Sequence, residues 1–356
     1  MTVLDAHCDA PSQMLRLRDY GKDNEFAQVD FPKMKRGGVD ASFFALYIPA
    51  NLKDGEATVY AFRLLDELER QLAANSDKAA LARNSREVLE NKRKGLISVL
   101  IGMENASALQ QDFRLLEEFY RRGVRYITLT HSADNAVGDS CTGKGTWGGL
   151  SSFGKELVKE MNRIGMLIDV AHSADSTIDD VLSLSQKPVA YTHGCCRALS
   201  PHKRNLPDTL IKGIADSGGF LGMSIYPPFL SKEFVEILNA SKLEDKMWIE
   251  DEFIKDPGNE EKADAWHRLQ KELQSLPRPG IGRVLEHIAH AADVAGVAHV
   301  GIGTDYDGIE CTADGLETVA SLPALFSAMK EEALFTEDEI IGIAGRNFLN
   351  CLDLVA

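Results

Sequence analysis

"LDAHCDAPSQM", residues 4–14, opens in an apolar strand, Val3 to Ala6, interrupted by Asp5, and then places a histidine, an aspartate and a proline in the first turn, with no glycine among them. An open, doubly wound parallel sheet that binds a nucleotide carries a glycine-rich first turn. "HCDAPS" is not such a turn, so the strand points to another parallel α/β architecture. Side chains alternate along a strand, which sends His7 and Asp9 to one side and Cys8 to the other. A His-x-Asp pair on one side can grip an ion.

Working outward, seven more apolar, β-branched runs follow: Ala41 to Ile48, Leu96 to Met103, Val124 to Thr130, Met166 to Ala171, Val189 to Thr192, Phe220 to Ile225 and Val300 to Thr304. Helical patterns such as "SSFGKELVKEMNRIG" and "GIGRVLEHIAHAADVAG" lie between them, several ending at the glycine expected after a helix C-terminus. Eight βα units predict a closed (β/α)8 barrel of TIM type, in a single domain spanning 1–356. "TEDEIIGIAGRNFLNCL" reads as one closing helix with a capping box from Thr336 to Glu339. The stretch from Pro227 to Pro279 is charged, amphipathic and too long for an ordinary βα connection. It predicts an inserted, mainly helical segment over the barrel mouth or a subunit partner.

Composition narrows the function. With 54 acidic against 39 basic residues, the formal charge of -15 repels nucleic acid and anionic membranes, and no basic patch offsets it. No apolar run approaches the roughly 20 residues that span a bilayer. Neither a secretory signal nor a lipid-anchor tail is visible, which predicts a cytoplasmic protein without a membrane anchor. Six cysteines lack CxxC spacing and read as free thiols in a reducing compartment.

In a barrel of this type the working face lies at the C-terminal strand ends. His7 and Asp9, Glu104, His131, His172, His193 and Asp305 all fall there, so four of the nine histidines end four strands beside carboxylates. Any one of these has an ordinary reading as a hydrogen-bonded core or turn residue. Together they would be very costly to bury without a counter-ion. Mixed nitrogen and carboxylate donors favour zinc over calcium or magnesium. The set exceeds what one catalytic zinc takes, so two Zn2+ ions are expected, bridged by Glu104 and hydroxide and about 3.5 to 4 Å apart.

"DAHCDAPSQM", "SVLIGMENASAL", "RYITLTHSADNAVGD", "PVAYTHGCCRALSPHKRNLPD" and "HVGIGTDYDGI" together resemble the membrane (renal) dipeptidase family of the amidohydrolase superfamily, in its bacterial form. The resemblance runs from the first strand to the last. It implies His7 and Asp9 as ligands of a first zinc, Glu104 as the bridge, and His172 and His193 as ligands of a second. It further implies His131 at the scissile carbonyl oxygen, Arg204 on the dipeptide's terminal carboxylate and Asp305 as the catalytic acid/base. The implied activity is hydrolysis of dipeptides, L-Xaa-D-Xaa included, by a protein that can form a homodimer. Cys8, Asn105 and Ala106 depart from the family's usual asparagine and glycines, which bears on substrate preference and not on the metals.

Other polar residues carry less. His287 and His290 share a helix face read as partly exposed, His202 and His267 are read as solvated, and His299 lies at the barrel bottom. Asp307 reads as a supporting partner, Asp134 and Asn135 as organisers of the loop after Val124–Thr130, and Trp147 and Tyr226 as candidate pocket walls. Two alternatives remain open: another binuclear amidohydrolase acting on an N-acyl amino acid, lactam or phosphoester, and a barrel that binds metal or peptide without turnover.

Overall fold

The computed structural model describes residues 1–52 and 55–356. Its strands are β1 (Leu4–Cys8), β2 (Ala41–Tyr47), β3 (Ala79–Leu81), β4 (Ile97–Glu104), β5 (Val124–Thr128), β6 (Leu167–Asp169), β7 (Val189–Gly194), β8 (Phe220–Met223) and β9 (Val300–Ile302). Eight of them pair in parallel in the order β1-β2-β4-β5-β6-β7-β8-β9, the TIM-type barrel that the alternation predicts. The remaining strand, β3, was not expected. It is three residues long and too short to alternate, and it exists through parallel pairing with β4, Ala79 opposite Ile97.

The barrel closes at its mouth. The Asp305 N–H donates to the His7 carbonyl at 3.0 Å and the Asp9 N–H to the Tyr306 carbonyl at 2.9 Å. Just below, the buried Asp5 carboxylate accepts from the Thr304 N–H at 2.9 Å and the Thr304 hydroxyl at 2.6 Å. First and last strands thus meet where the polar residues gather.

At the other end, helix Asn347–Val355 plugs the barrel. Phe348 packs on Phe220 and Phe43, with ring centres 4.3 and 5.2 Å apart, inside a core that includes Leu4, Leu100, Tyr126 and Leu167. The capping box at Thr336 and Glu339 forms as expected, but the single closing helix does not. Helix Glu337–Ile341 gives way to a wide turn over Gly342–Arg346 before the last helix starts. There the backbone of Gly345 lies so close to β1 that a Cβ would stand 2.8 Å from the Leu4 nitrogen. Only a residue without a side chain permits that approach.

The expected insertion is helical: Pro227–Leu230, Lys232–Ser241, Trp248–Lys255 and Glu260–Gln274. It buries its own apolar cluster of Phe234, Leu238, Phe253, Trp266, Leu269 and Leu273, joined by Cys311 from the loop after β9. That contact sets the helix Trp248–Lys255 over the mouth, where Glu250, Asp251 and Ile254 line the cavity. Among the described residues no helix is long and apolar enough to cross a membrane.

Candidate metal centre

The strand ends deliver their polar side chains into one cavity of about 360 Å³, lined by Asp9, Glu104, His131, His172 and Asp305 together with Ser12, Arg16, Tyr47, Tyr226 and Phe229. Glu104, the last residue of β4, stands at the centre. Its Oε2 lies 3.7 Å from Nε2 of His7, while its Oε1 lies 2.9 Å from Nε2 of His172 and 3.3 Å from Nε2 of His193. His7 Nε2 is also 4.0 Å from Asp9 Oδ2 and 3.8 Å from Asp305 Oδ1. The carboxylate of Glu104 therefore faces two groups of donors, one on each oxygen.

The imidazoles are aimed from behind. The Nδ1 of His7 lies 2.8 Å from the Tyr126 hydroxyl, so a neutral His7 that donates there turns a lone pair on Nε2 inward. Tyr126 fits beneath it because Gly102 on the next strand has no side chain; a Cβ would stand 2.2 Å from the ring. Nδ1 of His193 lies 2.9 Å from the Thr192 hydroxyl, which in turn donates to Asp169 at 2.7 Å. Such backing fixes tautomer and ring orientation, as it does behind metal-bound histidines.

The backbone is strained at the same place. His172, Asp305, Asp307 and Asn105, beside Glu104, hold φ between 64° and 82°, a region that non-glycine residues avoid. Asn105 holds its turn through bonds to the Ile48 carbonyl and to Asn135, which also reaches the Leu129 carbonyl.

Burial sets the charges. It pushes the His7 and His131 imidazoles down to about 3, with Arg204 adding to the effect, and lowers His172 and His193 well below the ordinary range. These rings are neutral and carry free lone pairs at neutral pH. Burial also raises Glu104 and Asp9 well above the usual carboxylate range, each reinforced by the charge of neighbouring aspartates, and lifts Asp305 to about 7. Meanwhile Nε2 of His7, Oδ1 of Asp9 and Nδ1 of His131 are buried without a hydrogen-bond partner. Unpartnered lone pairs beside crowded carboxylates are what a divalent cation satisfies. Among the described residues, three groups have donor atoms close enough to share an ion: His7, Glu104 and His193; Glu104, His131 and His172; and His7, Asp9 and Asp305. The residues fit metal.

Arg204, also expected at the site, is 6% exposed and packs against Phe229 of the cavity wall without itself being a lining residue. Its guanidinium donates to the His193 carbonyl at 2.9 Å and to the Tyr191 hydroxyl at 3.2 Å, sits 5.1 Å from the Phe229 ring centre, and leaves Nε unpartnered. Asp307 faces away from ligation, held by Arg18 and the Tyr20 hydroxyl. Tyr226 is a wall, hydrogen-bonded to Glu310 at 2.9 Å. Trp147 is not: half-exposed, it donates its indole N–H to the Asn135 carbonyl.

Three expectations about other histidines need correction. His287 is fully buried, because the turn Pro227–Leu230 folds over its helix; it accepts the Cys196 N–H on Nδ1 and reaches the Leu230 carbonyl through Nε2. His267 stacks on Phe26 with ring centres 3.7 Å apart, and His202 is half-buried against Phe229. Tyr126, Thr192, Asp169, Arg16, Glu250 and Glu310 were not anticipated. A polar residue within an apolar strand, as in "LID" or "YTH", was the available signal for two of them.

A barrel with imidazoles and carboxylates converging on unsatisfied donor atoms defines a metal-dependent hydrolase of the amidohydrolase type. The chain belongs to the membrane dipeptidase family, peptidase family M19, whose model matches residues 1–356. It is 30% identical over 340 residues to the dipeptidase verJ of Clonostachys rogersoniana, covering 92% of this chain and 76% of that protein. It is 29% identical over 364 residues to the dipeptidase tcpJ of Claviceps purpurea, covering 98% and 76%. Among solved structures, the metallopeptidase dipeptidase AC superposes with a TM-score of 0.82 at 26% identity, over 99% of this chain and 98% of that one. A metallopeptidase from Rhodobacter sphaeroides, liganded with a phosphinate mimic of L-Ala-D-Ala, shares the fold with a TM-score of 0.83 at 24% identity, over 100% and 99%.

Proposed function

We infer that this metal-dependent dipeptidase works with two zinc ions, one held by His7 and Asp9, the other by His172 and His193, with Glu104 shared between them. The observation that carries the reading is the two-sided placement of the Glu104 carboxylate, one oxygen toward His7 and the other toward His172 and His193. Bound zinc would supply an acidified water and polarise the scissile carbonyl.

The chain's own residues do the rest. Asp305, which lines the cavity beside His7, takes the proton from the attacking water and delivers it to the leaving amine. His131 stays neutral at working pH and stabilises negative charge on the carbonyl oxygen by hydrogen bonding. Arg204 anchors the terminal carboxylate through its planar donor fork. That anchor favours a dipeptide over a lactam or phosphoester, neither of which needs a carboxylate clamp. L-Xaa-D-Xaa dipeptides are the candidate substrates, on the family resemblance.

The whole chain acts as one domain with the insertion as part of its active-site wall, supported by Glu250 lining the cavity. Six free cysteines, five of them buried, support a reducing, cytoplasmic setting. The exposed apolar side chain of Trp248 on the inserted helix supports a homodimer contact. The deciding experiment is a screen of L,L and L,D dipeptides with zinc-loaded enzyme, each paired with its C-terminal amide. Hydrolysis of the free acids in preference to the amides is expected, and no hydrolysis of any dipeptide would sink the reading.

A further inference from the structure

The wall of the cavity built by the inserted helix carries charge that the hydrolytic chemistry does not use. Glu250 and Asp251 come from that helix, Glu310 from the loop after β9, and Ser12 and Arg16 from one face of the helix that follows β1. Among the described residues that line the cavity, these three carboxylates face one guanidinium, Arg16. Arg16 pairs with Glu250 at 3.4 Å, and Glu310 accepts from the neutral Tyr226 hydroxyl. Asp307, the other acid of this wall, is already held by Arg18.

Two further observations mark the wall as built to receive a cationic group. Ser12 is 4% exposed and lines the cavity, yet among the described residues its Oγ has no hydrogen-bond partner. Glu250 lies close enough to Glu310 to feel its charge, and burial lifts Glu250 to about 7 and raises Glu310 as well. These are acids short of counter-charge. With its carboxylate on Arg204, a dipeptide would bring its ammonium group to this wall and offset one negative charge. Another would remain.

We propose that Glu250 and Glu310 select dipeptides whose amino-terminal residue carries a cationic side chain, arginine or lysine. The proposal deepens the dipeptidase reading and rests on it. A cation brought between two partly buried carboxylates gains more than at an open surface, because low local polarity strengthens the attraction. An anionic side chain in the same place meets repulsion.

The test compares kcat/KM of zinc-loaded enzyme on arginyl-, citrullinyl- and glutamyl-alanine, in whichever alanine configuration is turned over. Citrulline keeps the shape of arginine and removes its charge. Arginyl-alanine is expected to exceed citrullinyl-alanine by about tenfold or more, with glutamyl-alanine slowest. The double variant Glu250→Gln, Glu310→Gln is expected to bring the arginyl-to-citrullinyl ratio close to one. A ratio measured within one preparation is blind to any general loss of folded or metallated enzyme. Equal rates on the two peptides in the unmutated enzyme, or a ratio unmoved in the double variant, would overturn the proposal while leaving the dipeptidase reading intact. Failure to cleave any of the three peptides would overturn both.

Discussion

The Nε2 atoms of His172 and His193 lie 3.0 Å apart, and both face the same oxygen of Glu104. Two neutral imidazoles with their lone pairs turned to one carboxylate repel one another unless a cation lies among them. Protein purified without chelator is therefore expected to contain two divalent ions per chain by elemental analysis. Exhaustive chelation should abolish activity and lower Tm, since the ions bind only the folded state, and zinc should restore both. Unchanged activity and Tm after chelation would contradict the metal assignment.

Asp305 occupies the seam between β1 and β9 and lines the cavity 3.8 Å from Nε2 of His7, within reach of a water held there. Asp305→Asn keeps shape and removes the capacity to take up a proton. The variant should hold its metal content while kcat falls by roughly 10²-fold or more. A near-normal kcat would remove Asp305 from the proton transfer.

Arg204 is assigned to the substrate carboxylate, although two of its nitrogens also hold the His193 carbonyl and the Tyr191 hydroxyl. Arg204→Ala is expected to reduce kcat/KM for a dipeptide far more than for its C-terminal amide. Equal losses on the two would show that Arg204 only supports the backbone of β7.

Thr192 is fully buried and does not line the cavity, and its hydroxyl joins His193 to Asp169. Thr192→Val should lower zinc affinity by about 10–100-fold, read by competition with a metal indicator, with an unchanged far-UV CD spectrum. Thr192→Ser keeps the hydroxyl and should recover most of the affinity. A valine variant that binds zinc normally would show that this hydrogen-bonded chain does not orient His193.

His287 governs stability rather than catalysis. Burial drives it from 6.5 down to about 4, so below pH 6.5 the unfolded chain takes up a proton that the folded one refuses. Stability from this residue is complete above pH 6.5 and is lost as pH falls toward 4, by a total on the order of a few kcal/mol. Denaturant unfolding at pH 7 and pH 5 should show a smaller difference for His287→Asn than for the unmutated protein. Equal differences would place the pH dependence elsewhere.

The barrel was legible because each main strand is an apolar run between turn or cap residues, and the site because those runs end in histidine or a carboxylate. What the sequence hid depends on neighbours in space. Tyr126 reads as a core aromatic until β1 brings His7 beside it. Glu250 reads as one acid among many on a charged helix until Phe253 and Trp266 bury the inserted segment's other face. His287 looks half-exposed until Leu230 covers it. The break at Gly342–Arg346 has the same origin, since continuous helical periodicity gives no warning of how closely β1 passes Gly345.

Asp5 and Thr304 stand 299 positions apart and still share two hydrogen bonds. During synthesis, then, β1 waits with one edge bare until the last strand of the barrel has left the ribosome. All five residues assigned to the metals are made well before Asp305, but the mouth that aligns them closes only when the segment 304–306 docks against β1. Arrival of the final strand completes the site.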